Sequence, residues 1–206
     1  MTAARYGDPG ASLVLIQMVD DHDLEGMASE TAEIRRLTDR AFCLTTVKVN
    51  DWNHDLSPWA APPVFGKEGF GDGAEDTLRE VLKLCADREK TYIIGGYSLA
   101  GLFALLAAYQ TDVFTAAAAA SPSVWFPGFS AYMEERRPNV SAVYLSLGDK
   151  EEKTRNPVMM AVGNRIREAH ARFQTQGIRT TLEWNPGNHF RDPDKRMARA
   201  FAWVIE

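Results

Sequence analysis

The 206-residue sequence predicts an α/β fold, a mostly parallel sheet of about six strands with helices on both faces, forming one domain over residues 1–206. Three observations predict it. Short apolar runs of strand length alternate with helix-length segments along the whole chain. The runs are continuous rather than alternating, as strands buried on both faces require. One of them passes directly into a Gly-x-Ser turn and then into a segment that is apolar almost all round.

Residues 13–16 (Leu-Val-Leu-Ile) read as the first strand, followed by the acidic loop Asp20-Asp21-His22-Asp23 and a helix over 29–39 with Ile34 and Leu37 inward. Residues 45–49 are the second strand. The stretch 50–73 carries Trp52, Pro58, Trp59, Pro62 and Pro63 and reads as a long irregular loop, a segment type that often serves function. Leu78, Val81, Leu82 and Cys85 then recur at i, i+3, i+4 and i+7, one buried helix face. Residues 91–95 are the third strand and 99–109 the apolar helix after the turn. Residues 114–120 are the fourth strand, ending at Ser121-Pro122-Ser123-Val124-Trp125. Residues 142–147 are the fifth strand, ending at Gly148-Asp149-Lys150-Glu151-Glu152. Asn156 and Pro157 then start one long helix with Val158, Val162, Ile166, Ala169 and Phe173 inward. Residues 179–184 are the sixth strand. The loop Asn185-Pro186-Gly187-Asn188-His189-Phe190 leads to a last helix, opened by Asp192-Pro193, that buries Met197, Phe201 and Val204.

The net charge is −5 and the Lys and Arg residues are scattered, so no basic stripe exists to meet a phosphate backbone and a nucleic-acid partner is not expected. No apolar run is long enough to span a bilayer and residues 1–7 lack a signal-peptide core, so the expectation is a cytoplasmic protein without a membrane partner. Cys43 and Cys85 sit among apolar neighbours and read as small core residues, not as a disulfide or a metal site.

The chemistry is carried by Gly96-Tyr97-Ser98-Leu99-Ala100. A serine hydroxyl is a weak nucleophile and needs a neighbouring base, and its transition state needs donors for an oxyanion. A sharp strand-to-helix turn lifts the hydroxyl above the sheet edge and aims the next N–H, that of Leu99, at the developing charge. Strand and helix approach closely there, so the positions two before and two after the serine must be small, as Gly96 and Ala100 are. Alanine replaces the second glycine of the usual G-x-S-x-G pattern. The competing reading is a serine that only caps a helix, which leaves the flanking small residues unexplained.

In such a site the base comes late in the chain, after the last core strand. Of the four histidines, His189 alone has that place. His170 falls within a helix; His22 and His54 fall in loops ahead of the serine. The acid must hold one imidazole tautomer and stabilise the imidazolium. The loop after the fifth strand offers Asp149, Glu151 and Glu152. Glu151, three residues past the strand-ending Gly148, has room to turn back and is favoured, with Asp149 and Glu152 open. The second oxyanion donor is expected from the loop after the first strand, near Val19 and Asp20. Tyr97, Trp52, Trp59 and Trp125 are expected to line the pocket, which would then favour an aryl or otherwise bulky group.

These motifs resemble the esterase branch of the α/β hydrolases that includes esterase D-like and enterochelin-esterase-like proteins. The resemblance spans nearly the whole chain and rests on residues 94–101, 121–125, 145–151 and 187–189. It implies hydrolysis of a small-molecule carboxylic ester through an acyl-enzyme, with no metal and no organic cofactor. It also implies Ser98 as nucleophile, His189 as base and Glu151 as acid. The chain is shorter than larger members, so the expected core starts at what would be their third strand. An acyltransferase or peptidase on the same triad, or a hydrolase fold turned binding module, are the alternative readings.

Overall fold

The computed structural model describes residues 1–206. Seven strands form one sheet in the order β1-β3-β2-β4-β5-β6-β7. They are β1 (Thr2–Gly7), β2 (Leu13–Val19), β3 (Cys43–Lys48), β4 (Thr91–Tyr97), β5 (Phe114–Ala120), β6 (Ala142–Gly148) and β7 (Arg179–Asn185). The helices are α1 (Asp21–Leu37), α2 (Trp52–Asp55), α3 (Ala74–Lys83), α4 (Leu99–Gln110), α5 (Phe129–Glu134), α6 (Pro157–Met160), α7 (Val162–Thr175) and α8 (Pro193–Ile205). From β3 to β7 every neighbouring pair is parallel; β1 alone runs antiparallel, against β3.

Two apolar layers enclose the sheet. On one face α3, α4 and α7 bury Leu78, Phe103, Ile166 and Phe173 against β4–β6. On the other, α1 and α8 lie side by side and bury Met27, Ile34, Met197 and Phe201. The alanines 116–120 of β5, all but fully buried, keep both helical layers close to the sheet. Gly95 serves the same end: a Cβ there would stand 2.5 Å from Cζ of Phe201, so the ring occupies the space a side chain would need. No helix is long and apolar enough to cross a membrane.

Three expectations need correction. The sheet has a seventh strand, β1, ahead of the first one expected. It is an edge strand with residues 2–5 exposed, so it lacks the apolar run that marks a buried strand. Helix α1 begins at Asp21, not near Ser29. The acidic run is a capping box: Asp20 Oδ1 accepts from the Asp23 N–H at 2.7 Å, and Asp23 Oδ2 accepts from the Asp20 N–H at 3.2 Å. The long helix after Asn156 is two helices. At Ala161 the N–H bonds three residues back to Val158, tightening the chain between α6 and α7.

Candidate active site

Strand β4 ends at Tyr97 and α4 begins at Leu99, so Ser98 makes the whole turn. Its backbone sits at φ 59°, ψ −121°, a conformation that L-residues rarely adopt. The turn is tied on both sides. The Ser98 N–H donates to Ala120 O at 3.1 Å, and Ser98 O accepts from Ser123 N at 3.0 Å and Leu102 N at 3.1 Å. The Ser98 hydroxyl makes no capping bond to α4, so the cap reading falls. Gly96 is dictated by the helix that follows, since a Cβ would lie 2.4 Å from the Ala100 carbonyl carbon and oxygen. The obstacle is backbone and cannot swing aside. Gly96→Ala is therefore expected to destabilise the fold by about 1–3 kcal/mol, read as a lower midpoint in denaturant unfolding.

His189 lies on the loop after β7, and its Nδ1 is 2.7 Å from Glu151 Oε2. This loop and the one after β6 are laced together. The Gly187 N–H donates to Asp149 Oδ1 at 2.8 Å, and the Lys150 N–H donates to Gly187 O at 3.1 Å. Of the three candidate acids, Glu151 is the one that touches the imidazole. Asp149 staples the histidine loop through its backbone, and Glu152 turns away to pair with Arg167 at 3.2 Å.

The second oxygen of Glu151 is as heavily engaged as the first. Oε1 accepts from the Gly148 N–H at 2.6 Å, Ser121 Oγ at 2.7 Å and the Arg196 guanidinium at 2.9 Å. Arg196 is 1% exposed, also donates to Ser121 Oγ, and lies over the Tyr97 ring at 5.2 Å. Burial is the largest influence on the Glu151 carboxyl and opposes its ionisation. The bond and charge of His189, with the bonds from Ser121 and Arg196, outweigh burial and hold the group down at about 2. The carboxylate is therefore ionised throughout the neutral range. Sequence reasoning missed Ser121 and Arg196. The one signal for Arg196 is its place on the inward stripe of α8, four residues before buried Ala200 and beside buried Met197.

Tyr97 does not border the Ser98 cavity. Its hydroxyl donates to the backbone carbonyl of His189 at 2.7 Å and its ring lies 5.2 Å from the imidazole, which makes it a support of the histidine loop. Tyr97→Phe removes that bond together with the hydroxyl's contact with Ser121. The expected result is a loss of about 1 kcal/mol of stability, read as a lower midpoint in denaturant unfolding.

Ser98, Glu151 and His189 open on one cavity of about 550 Å³. Trp125, Phe65 and Phe190 supply its aromatic walls, and Met159, Lys150 and Lys153 also line it. Phe65 and Trp125 meet edge to face at 5.9 Å. Trp52 and Trp59 are not part of it, correcting the expectation for both. Trp59 Nε1 donates to Pro127 O at 2.8 Å and its ring packs on Phe126, so it braces the loop that carries Trp125. Trp52 borders a separate shallow cleft beside Asp20 and Lys48. Val19 and Asp20 also lie outside the cavity lining. The Asp20 N–H is committed to Asp23 Oδ2, so the expectation of an oxyanion donor at Asp20 is corrected as well. The Leu99 N–H stands in the first turn of α4, where helical amides have no partner inside the helix and the helix dipole favours an anion.

A serine in a strained strand-to-helix turn, on a mostly parallel sheet wrapped by helices on both faces, defines the α/β-hydrolase architecture. No protein-family model matches the chain, and no curated protein matches its sequence. Its fold is similar to that of an IroE-like serine hydrolase from Shewanella oneidensis, at 15% identity and a TM-score of 0.78, over 98% of this chain and 74% of that one. It is also similar to the siderophore hydrolase EstA from Aspergillus nidulans, at 19% identity and a TM-score of 0.66, over 96% of this chain and 84% of that one. A third similar structure is the enterobactin esterase FES from Shigella flexneri, at 15% identity and a TM-score of 0.62, over 98% of this chain and 55% of that one. At these identities the likeness is one of fold.

Proposed function

We propose that this protein is a serine esterase that cleaves a carboxylic ester through an acyl-enzyme on Ser98. The observation that carries the reading is the 2.7 Å bond from His189 Nδ1 to a buried, ionised Glu151, formed at the cavity that Ser98 also lines. Glu151 keeps the proton on Nδ1 and leaves Nε2 with its lone pair, the state a general base requires. Similar folds named as a siderophore hydrolase and an enterobactin esterase support ester cleavage as the chemistry.

In the proposed reaction Nε2 of His189 takes the Ser98 proton as Oγ bonds to the ester carbonyl carbon. The Leu99 N–H receives the negative charge that forms on the carbonyl oxygen. The tetrahedral adduct collapses with loss of the alkoxide, which leaves as the alcohol with the proton from Nε2. Water then attacks the acyl-enzyme by the same route and frees the acid and Ser98. These steps need no metal and no organic cofactor. Aromatic walls and bordering lysines favour a bulky aromatic ester, neutral or anionic, over a short alkyl one.

Two measurements test this. A fluorophosphonate probe is expected to label Ser98 and to be blocked by prior incubation with a naphthyl ester. The kcat/KM for a naphthyl ester is expected to exceed that for the matching ethyl ester. A native protein that takes no label and turns over neither ester is not a serine esterase.

A further inference from the structure

A second cavity, of about 300 Å³, lies on the α1–α8 side of the sheet and shares no lining residue with the Ser98 cavity. Carboxylates dominate it: Asp23, Glu25 and Glu30 from α1 and Asp194 from α8. Gln17 of β2 and Tyr97 of β4 complete the polar lining, with His22 at the start of α1. No Lys or Arg side chain lines it. The nearby guanidinium, that of Arg196, lies over the Tyr97 ring and is committed to Glu151 and Ser121.

The innermost groups are short of donors. Glu30 is 1% exposed and Gln17 3%. Gln17 Nε2 donates to Glu30 Oε2 at 3.3 Å, yet Glu30 Oε1 and Gln17 Oε1 have no hydrogen-bond partner. Buried polar atoms left without partners are costly. Four acids around one cavity with no Lys or Arg among its lining add mutual repulsion. One kind of ligand answers both deficits, a positively charged group that carries several N–H donors. A bare metal ion is a poorer match, because no three His, Cys, Asp or Glu side chains converge closely enough to hold one.

We propose that this cavity binds a small organic cation with N–H donors, a primary ammonium or guanidinium group, seated between Glu30, Gln17 and Asp194. The protonation of the empty cavity is consistent with the site. Burial, and after it the charge of Asp20, pushes Asp23 up to about 6, and burial pushes Glu30 well above the usual carboxylate range. An arriving cation favours the ionised acids, so binding releases protons. The proposal is independent of the esterase reading, since the two cavities are separate and binding can be read without turnover.

The test is calorimetric titration of the full chain with n-butylammonium, in two buffers of different ionisation heat, with butyltrimethylammonium as the control that has the charge but no N–H. Saturable one-to-one binding is expected in the millimolar range or tighter, with a buffer-dependent heat that reports proton release. The trimethylated control and the Glu30→Gln variant are each expected to bind about tenfold more weakly. Should Glu30→Gln not fold, Asp194→Asn at the cavity rim is expected to weaken binding in the same direction. Absence of saturation, equal binding of the control, undiminished binding by the folded variant, or calcium binding in preference to the ammonium would each overturn the proposal.

Discussion

Ser98→Ala is expected to cut ester turnover by about 10⁴-fold or more and to abolish fluorophosphonate labelling, with the fold intact. The size follows from the role: the other serine of the cavity, Ser121, has its hydroxyl tied to Glu151 and Arg196, and what survives is the contribution of binding and the oxyanion donor. The fold is retained because the hydroxyl makes no bond to α4. A companion variant separates chemistry from strain. A non-glycine residue at φ 59° holds a conformation that costs about 1–3 kcal/mol, so Ser98→Gly is expected to be as inactive as Ser98→Ala and more stable than wild type. Kinetics on an aryl ester and paired thermal melts check both statements. Ser98→Ala with wild-type turnover would remove Ser98 from the reaction.

Glu151→Gln is expected to lower kcat by about 10³–10⁴-fold, because an amide no longer holds the Nδ1 proton or steadies the imidazolium. Glu151→Ala is expected to cost stability as well, about 3–5 kcal/mol, by leaving the guanidinium of Arg196 buried without its carboxylate. The pH dependence has a definite sign. The folded-state pKa of Glu151 is depressed from its ordinary 4.5 to about 2, so the unfolded chain takes up the proton first as pH falls. The stabilisation is complete above about 4.5 and is lost as pH drops from there toward about 2. Denaturant unfolding across that window should show a falling wild-type stability and a flatter profile for Glu151→Gln. Parallel profiles would mean that the carboxylate is not held as the structure shows.

Much of this fold is written locally. The runs that became β2 and β4–β6 are buried on both faces, so hydrophobicity alone marks them, and Gly96 and Ala100 mark the turn because close backbone approach demands small residues. What escaped is what hydrophobicity does not record. Strand β1 is held by backbone pairing to β3 with its side chains in water. The first turns of α1 are acidic because they cap the helix, and acidic runs also read as loops. In the candidate site, His189 is legible by chain order. The choice among Asp149, Glu151 and Glu152 turns on a few degrees of loop direction, and only Glu151 reaches the ring. Ser121 and Arg196 reach Glu151 from 30 and 45 residues away in sequence, through side-chain convergence that no local pattern encodes. The tryptophans show the converse. Trp52, Trp59 and Trp125 look alike as loop aromatics, yet Trp125 alone lines the cavity.

The Arg196–Glu151 pair has a consequence for how the molecule matures. In chain order Ser98, Glu151 and His189 all precede α8, so every proposed reacting group is made before Arg196. Without Arg196 the Glu151 carboxylate lacks its one buried cation, and without α8 the face of the sheet beneath Phe201 is open. The proposed acid is therefore fixed only when α8 docks and brings the guanidinium of Arg196 to Glu151. A ribosome-released chain ending before Pro193 should carry the serine and histidine and yet be inert.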